Sequence, residues 1–183
     1  MDHDLIEHLR AGNRRYLSGE AAGDVSEAIR LETAEHGQHP KAIVIACSDA
    51  RVIPEAIFNA GIGELFTIRV AGNVLDRHQL GSIEYAAAHL HCPLILVLGH
   101  TGCGAVGAAL SGRSEGYIRY ITDEIRLAVG EERDPDKACR MNVEHAVETI
   151  RHAFHVHPEI PSAGLVIRGA VYDIRTGTVD WME

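Results

Sequence analysis

Two short segments carry the side chains best suited to hold a metal ion. The first is Cys47-Ser48-Asp49-Ala50-Arg51 and the second is His100-Thr101-Gly102-Cys103-Gly104. Two cysteines and one histidine make a three-ligand set with a fourth position open, the pattern of a catalytic zinc site. Two thiolates balance the dication and a neutral imidazole adds no charge. Soft sulfur donors favour zinc over magnesium or calcium. Asp49 and Arg51 add a carboxylate and a guanidinium. If the chain stays extended here, residues 47, 49 and 51 point the same way, because side chains alternate along a strand. Cys103, near the start of a helix, is biased toward thiolate. Singly, a buried cysteine behaves as a small hydrophobe, so the argument rests on the joint pattern. Cys92 and Cys139 lack comparable partners and read as structural. His89, His91 and Cys92 have ligand-like spacing, but no acid lies near their helix-to-strand junction.

Both segments directly follow apolar runs that read as buried strands, 41–46 (KAIVIA) and 93–99 (PLILVLG). Residues 65–70 and 163–171 give two more strands, and a terminal hairpin turns at Thr176-Gly177 and ends at Trp181. Helical periodicity covers 2–18, about 26–37 with Ser26 as its cap, 81–90, 104–110, 115–129 and 136–154. The alternation predicts an α/β fold. Its mostly parallel central sheet has four core strands and a short antiparallel edge strand, with helices on both faces and an N-terminal helical arm. Ligands of such sheets bind beyond the carboxyl ends of the strands, where the two segments lie.

Gly102, Gly104 and Gly107 also spell GxGxxG after a strand, the setting of a dinucleotide fingerprint. That fingerprint needs an acidic residue at the end of a second strand about 20 residues on. Asp123 and Glu124 fall instead in a helical stretch, which counts against nucleotide binding.

The 183 residues suit one domain, 1–183, and 17 basic against 26 acidic side chains give a net charge of −9. An acidic surface without a basic run argues against nucleic acid as partner. No apolar run is long enough to span a bilayer. The start MDHDLIEHLR lacks a signal core, so a cytoplasmic protein with reduced cysteines is expected, and there metal binding outranks disulfides.

With these residues in place, the chain resembles the beta class of carbonic anhydrases. CSDAR and HTGCG resemble that family's two zinc-binding segments. GNRRYLSG, GELFTIRVAGN, GSIEYA, NVEHAV and LVIRGAVYDIRTGTVDW follow in the family's order. The resemblance implies one zinc ion per chain on Cys47, His100 and Cys103. It implies reversible hydration of carbon dioxide to bicarbonate and a proton by water activated on zinc. Asp49 and Arg51 would be the catalytic dyad, and in a closed state Asp49 itself becomes the fourth ligand. Gln38, nine residues before Cys47, matches a substrate-pocket glutamine of the plant-like subtype. Phe66 and Tyr85 match apolar pocket residues, with Ala71 beside them, and Gly104 supplies a backbone N–H. Val44 stands where bicarbonate-inhibited members carry tryptophan. Ala50, Val70 and Thr101 also depart from the usual residues. The resemblance further implies a homodimer or homotetramer whose partner residues complete the pocket, with 1–37 as the helical arm and 38–183 as the catalytic core. Two other functions fit the same ligands. One is hydrolysis of carbonyl sulfide or carbon disulfide; the other is a non-catalytic zinc module with Asp49 permanently on the metal.

Overall fold

The computed structural model describes residues 2–20, 23–156 and 164–182. Strand β1 (Ala42–Ala46) and strand β3 (Leu94–His100) are buried along their whole lengths and apolar up to His100. Such runs belong in the middle of a parallel sheet, covered on both faces. They pair in parallel, Ile43 opposite Ile95 and Ala46 opposite Leu98. Strand β2 (Leu65–Arg69) flanks β1, and β4 (Val166–Tyr172) flanks β3, both parallel. The short β5 (Val179–Trp181) closes the far edge antiparallel to β4, so the described sheet runs β2-β1-β3-β4-β5. This is the architecture expected above. Residue 163, the expected start of β4, lies outside the described residues.

Alternation sorts the strand side chains into two cores. Ile43, Ile45, Ile95 and Val97 face helix α4 (Arg77–His89) and helix α7 (Pro135–Val156), through Ile83, Ala86, Val143, Val147 and Ile150. Ala42, Val44, Leu94, Leu96 and Leu98 face the opposite way. There they meet Leu9 of helix α1 (Asp2–Ser18) and Ile57 and Phe58 at the end of α3 (Pro54–Ile57). A third cluster lies past the strand ends, where α5 (Gly104–Leu110) and α6 (Ile118–Val129) pack Val106, Ala109, Ile125 and Val129 around Cys47 and Cys103. Helix α2 (Glu27–His36), capped by Ser26 as expected, buries none of its residues.

Part of the apolar face of α1 is covered by its own chain, Leu9 buried and Leu5 and Ile6 partly buried, while Leu17 stays exposed. Asn13 of α1 is buried and donates from Nδ2 to the carbonyls of Ile57 (3.1 Å) and Gly177 (3.0 Å). Gly12 lies so close to α3 that a Cβ there would sit 1.9 Å from the Phe58 carbonyl oxygen. The boundaries depart from the sequence reading where local hydrogen bonding decides. Helix α4 starts at Arg77 rather than 81, because Asp76 and Gln79 form a reciprocal capping box. Helix α6 starts three residues later than expected, and α3 and a 3-10 turn at Ala71–Asn73 were not anticipated. No helix among the described residues is long and apolar enough to cross a membrane.

Candidate metal centre

Adjacent parallel strands end at the same edge of the sheet. Cys47 directly follows β1, and His100 is the last residue of β3. Gly102, at φ +65°, turns the chain back so that Cys103 caps α5. The ligand atoms of Cys47, His100 and Cys103 consequently lie within 4.8 Å of one another, all three residues buried.

The imidazole is prepared for a metal. His100 Nδ1 lies 3.0 Å from the carbonyl oxygen of Thr101. A carbonyl only accepts, so Nδ1 carries the proton and Nε2 presents a lone pair. That Nε2 is buried and has no hydrogen-bond partner. An unmatched buried acceptor is costly, and a cation between it and the two sulfurs would satisfy it. The residues therefore fit zinc.

Cys47 Sγ accepts the N–H groups of Gly72 (3.2 Å) and Asp49 (3.4 Å). The Cys103 thiol, joined by His100 and these amides, pulls Cys47 down to about 4 against the opposing effect of burial. Cys103 is pushed up, first by its hydrogen bond to Cys47 and then by burial. The sequence reading placed the thiolate bias on Cys103. Both sulfurs accept backbone N–H groups, Cys47 from Gly72 and Asp49 and Cys103 from Ala105 and Val106, so the two thiols titrate as one coupled pair. Cys92 and Cys139, each pushed up to about 11 by burial, remain thiols.

Asp49 and Arg51 meet by a turn, not by strand alternation. The Arg51 amide donates to Asp49 Oδ1 (3.0 Å) and the Val52 amide to the Asp49 carbonyl (2.9 Å), so the chain bends at 50–51. Arg51 then grips the carboxylate with both arms, Nε to Oδ1 at 2.9 Å and Nη2 to Oδ2 at 2.7 Å. This pairing holds the Asp49 carboxyl well below the usual carboxylate range. Asp49 is not part of the group of ligand atoms within 4.8 Å. A cleft of about 490 Å³ opens beside Arg51, lined also by Thr101, Gly102, Asp136 and Arg175.

Three residues bracing this centre carried no signal by spacing. Arg69, the last residue of β2, donates to the carbonyls of Cys47 (3.0 Å) and Asp49 (2.7 Å). Asn142 and Cys139, both buried in α7, hydrogen-bond to the backbone at Gly72 and His100.

The expected pocket residues separate into two groups. Ala71, half-buried, precedes Gly72, and Gly104, exposed, follows Cys103; both adjoin the metal centre. Gln38, Phe66 and Tyr85 do not. Phe66 pairs with Ile43, four residues before Cys47, or about 13 Å back along the strand at a rise of ~3.3 Å per residue. Tyr85, 48% exposed, sits with its ring 6.3 Å from that of Phe66. Gln38 is exposed ahead of β1, so the whole strand separates it from its own chain's Cys47. The GxGxxG glycines lead through α5 into α6, which contains Asp123 and Glu124, so no second strand presents an acid.

The sequence model of the family described as carbonic anhydrase matches residues 42–179. Carbonic anhydrase 2 of Mycobacterium tuberculosis is 33% identical over 180 residues, covering 92% of this chain and 87% of that protein. A carbonic anhydrase of Synechococcus elongatus is 44% identical, covering 96% of this chain and 69% of its own length. Among solved structures, the beta-carbonic anhydrase CafA of Aspergillus fumigatus superposes with a TM-score of 0.73 at 27% identity, covering 85% of this chain and 81% of that one. A structure from a report on two tetrameric beta-carbonic anhydrases of Sordaria macrospora gives 0.70 at 27% identity, covering 85% and 87%. The matched stretch spans both strand ends and every candidate ligand, and the likeness holds in sequence and in backbone alike: the chain belongs to the carbonic anhydrase family, in its beta class.

Proposed function

We propose that this chain hydrates carbon dioxide reversibly to bicarbonate and a proton, with one zinc ion per chain held by Cys47, His100 and Cys103. The observation that carries the reading is the buried, unpartnered Nε2 of His100 grouped with two thiols. When bound, the ion would supply the Lewis acidity that makes water a nucleophile near neutral pH. Two thiolates soften that acidity, so the protein's own groups must contribute.

Asp49 and Arg51 act as the catalytic dyad in this reading. The Asp49 carboxylate accepts a hydrogen bond from the attacking water and aims its lone pair at the substrate carbon. Arg51 fixes the carboxylate and would compete with a bound ion for it. Release of Asp49 from Arg51 onto the metal would close the site. The Gly104 amide and Ala71 form the near wall.

The far wall comes from a second copy of the chain. Gln38, Phe66 and Tyr85 lie about a strand's length from their own metal centre, which supports a homodimer or homotetramer in which they serve the neighbouring site. Phe66 and Tyr85 would give an apolar surface for carbon dioxide, and Gln38 an amide donor to its oxygen. Gln38 is the basis for proposing the plant-like subtype.

Carbon dioxide hydration measured beside zinc content tests the proposal. Wild-type protein is expected to carry one zinc ion per chain, to lose hydration on chelation and to regain it with zinc. Cys47→Ser should abolish stoichiometric zinc, and retention would overturn the ligand set. Faster turnover of carbonyl sulfide or carbon disulfide than of carbon dioxide would reassign the substrate. Full zinc with no turnover of any of the three would make the site structural.

A further inference from the structure

Helix α7 passes behind the metal centre, and one of its turns touches the backbone on both sides of it. Asn142, 3% exposed, donates from Nδ2 to the Gly72 carbonyl at 2.7 Å. The amide of the same glycine donates to Cys47 Sγ. Three residues earlier, the buried Cys139 thiol donates to the His100 carbonyl at 2.8 Å. Residues three apart share a helix face, so this face is pinned to the end of β3 while Asn142 reaches across to Gly72. The pinning is tight, since a Cβ on Gly99 would lie 2.5 Å from Val143 Cγ2.

Gly72 needs such support. At φ +70° its conformation is one that glycine permits without enforcing. Ile125 Cδ1 and Ala105 Cβ fill the space where its Cβ would be, at 2.8 and 3.0 Å, and wall it in from one side. Asn142 fixes the peptide plane that follows Gly72. The Asn73 amide, in that same plane, donates to the Val70 carbonyl at 2.9 Å and closes the turn, so the preceding plane, which carries the Gly72 amide, is left little room to rotate. An N–H bonded to a metal-bound thiolate draws charge off the sulfur, so its direction sets how strongly that sulfur donates to the ion.

We propose that Asn142 is a positioning residue for the metal centre: it holds the Gly72 carbonyl so that the Gly72 amide is aimed at Cys47 Sγ, and so tunes the charge that this thiolate gives the ion. The inference rests on the zinc reading above. Asn142 touches neither a ligand atom nor the substrate, so activity alone would not separate it from a residue that only packs.

The test compares wild type, Asn142→Leu and Asn142→Asp. Leucine keeps the volume without a donor, and aspartate keeps the shape with an acceptor in the donor's place. In cobalt(II)-loaded protein the sulfur-to-cobalt charge-transfer band is expected to move to longer wavelength in both variants, because a thiolate relieved of its N–H gives up an electron more easily. Zinc release to a competing chelator should quicken on the order of 10-fold, the scale for losing a residue that supports a metal ligand. A lowered melting temperature with unchanged band and release rate would show that Asn142 only packs, and would overturn the inference while leaving the zinc reading intact. A wild type that binds neither metal would overturn both. If neither variant folds, wild-type protein loaded with NMR-active cadmium decides: coupling between the Gly72 amide proton and the metal through Cys47 Sγ, with slow exchange of the Asn142 amide protons, supports the proposal, and absence of either overturns it.

Discussion

At the scale of single residues, the Thr101 carbonyl fixes the protonated nitrogen of His100, and two backbone amides steady the Cys47 sulfur. Asp49 is held as a carboxylate by Arg51. Its carboxyl in the folded chain lies below the unfolded value of ~3.9. The stability from this pair is therefore fully present above the unfolded value and is lost as the pH falls through the lower folded one. Between pH ~6 and ~9 Asp49 does not titrate, so a change of rate across that window does not come from this carboxylate, and a zinc-held water would supply one. Stopped-flow hydration should be slower at the acidic end than at the basic end, and equal rates would contradict a thiolate-held zinc. Asp49→Asn is expected to cut hydration on the order of 10²-fold with zinc retained, as measured by rate and metal analysis together. The grouping of Cys47, His100 and Cys103 as a candidate metal site was legible in the sequence because their side-chain types announce their chemistry. Arg69, Cys139 and Asn142 were not, because each acts on a backbone carbonyl of a distant element, and no spacing encodes such a contact.

At the scale of elements, the apolar runs announced β1 and β3, and those strands bring Cys47 and His100 to one edge. The sequence misled where a local turn replaced an extended chain. Strand alternation was expected to align 47, 49 and 51, whereas hydrogen bonds from the Arg51 and Val52 amides to Asp49 bend the chain and close the pair. The capping box of α4 was readable from Asp76 and Gln79, but apolar periodicity starts later and masked it. The close crossing of α1 over α3 was not readable from local propensity, since a glycine at position 12 of a helix reads as a weak helix residue. Gly12→Ala would drive a methyl group into the Phe58 carbonyl. It should destabilise the protein by about 1–3 kcal/mol, as overpacking does. Urea unfolding would report the loss, and hydrogen exchange would place it in α1.

At the scale of the whole molecule, the separation of Gln38, Phe66 and Tyr85 from their own metal centre makes a test that no single chain can pass. Chains carrying Gln38→Ala and chains carrying Asp49→Asn are each expected to be impaired. Mixed and reassembled at equal amounts, they should recover about a quarter of wild-type hydration, because random pairing makes half the dimers mixed and each mixed dimer has one intact site. No recovery beyond the average of the parents would place Gln38 in its own chain's pocket. The crossing of α7 behind the strand ends also bears on how the protein is made. A ribosome releases Cys47 first, His100 and Cys103 much later, and the turn that backs them later still. A nascent chain thus exposes its first thiol long before anything exists to shape a cage around it. Stoichiometric zinc loading is therefore expected only once α7 is in place, and a truncated product ending before it should leave synthesis empty-handed on metal analysis.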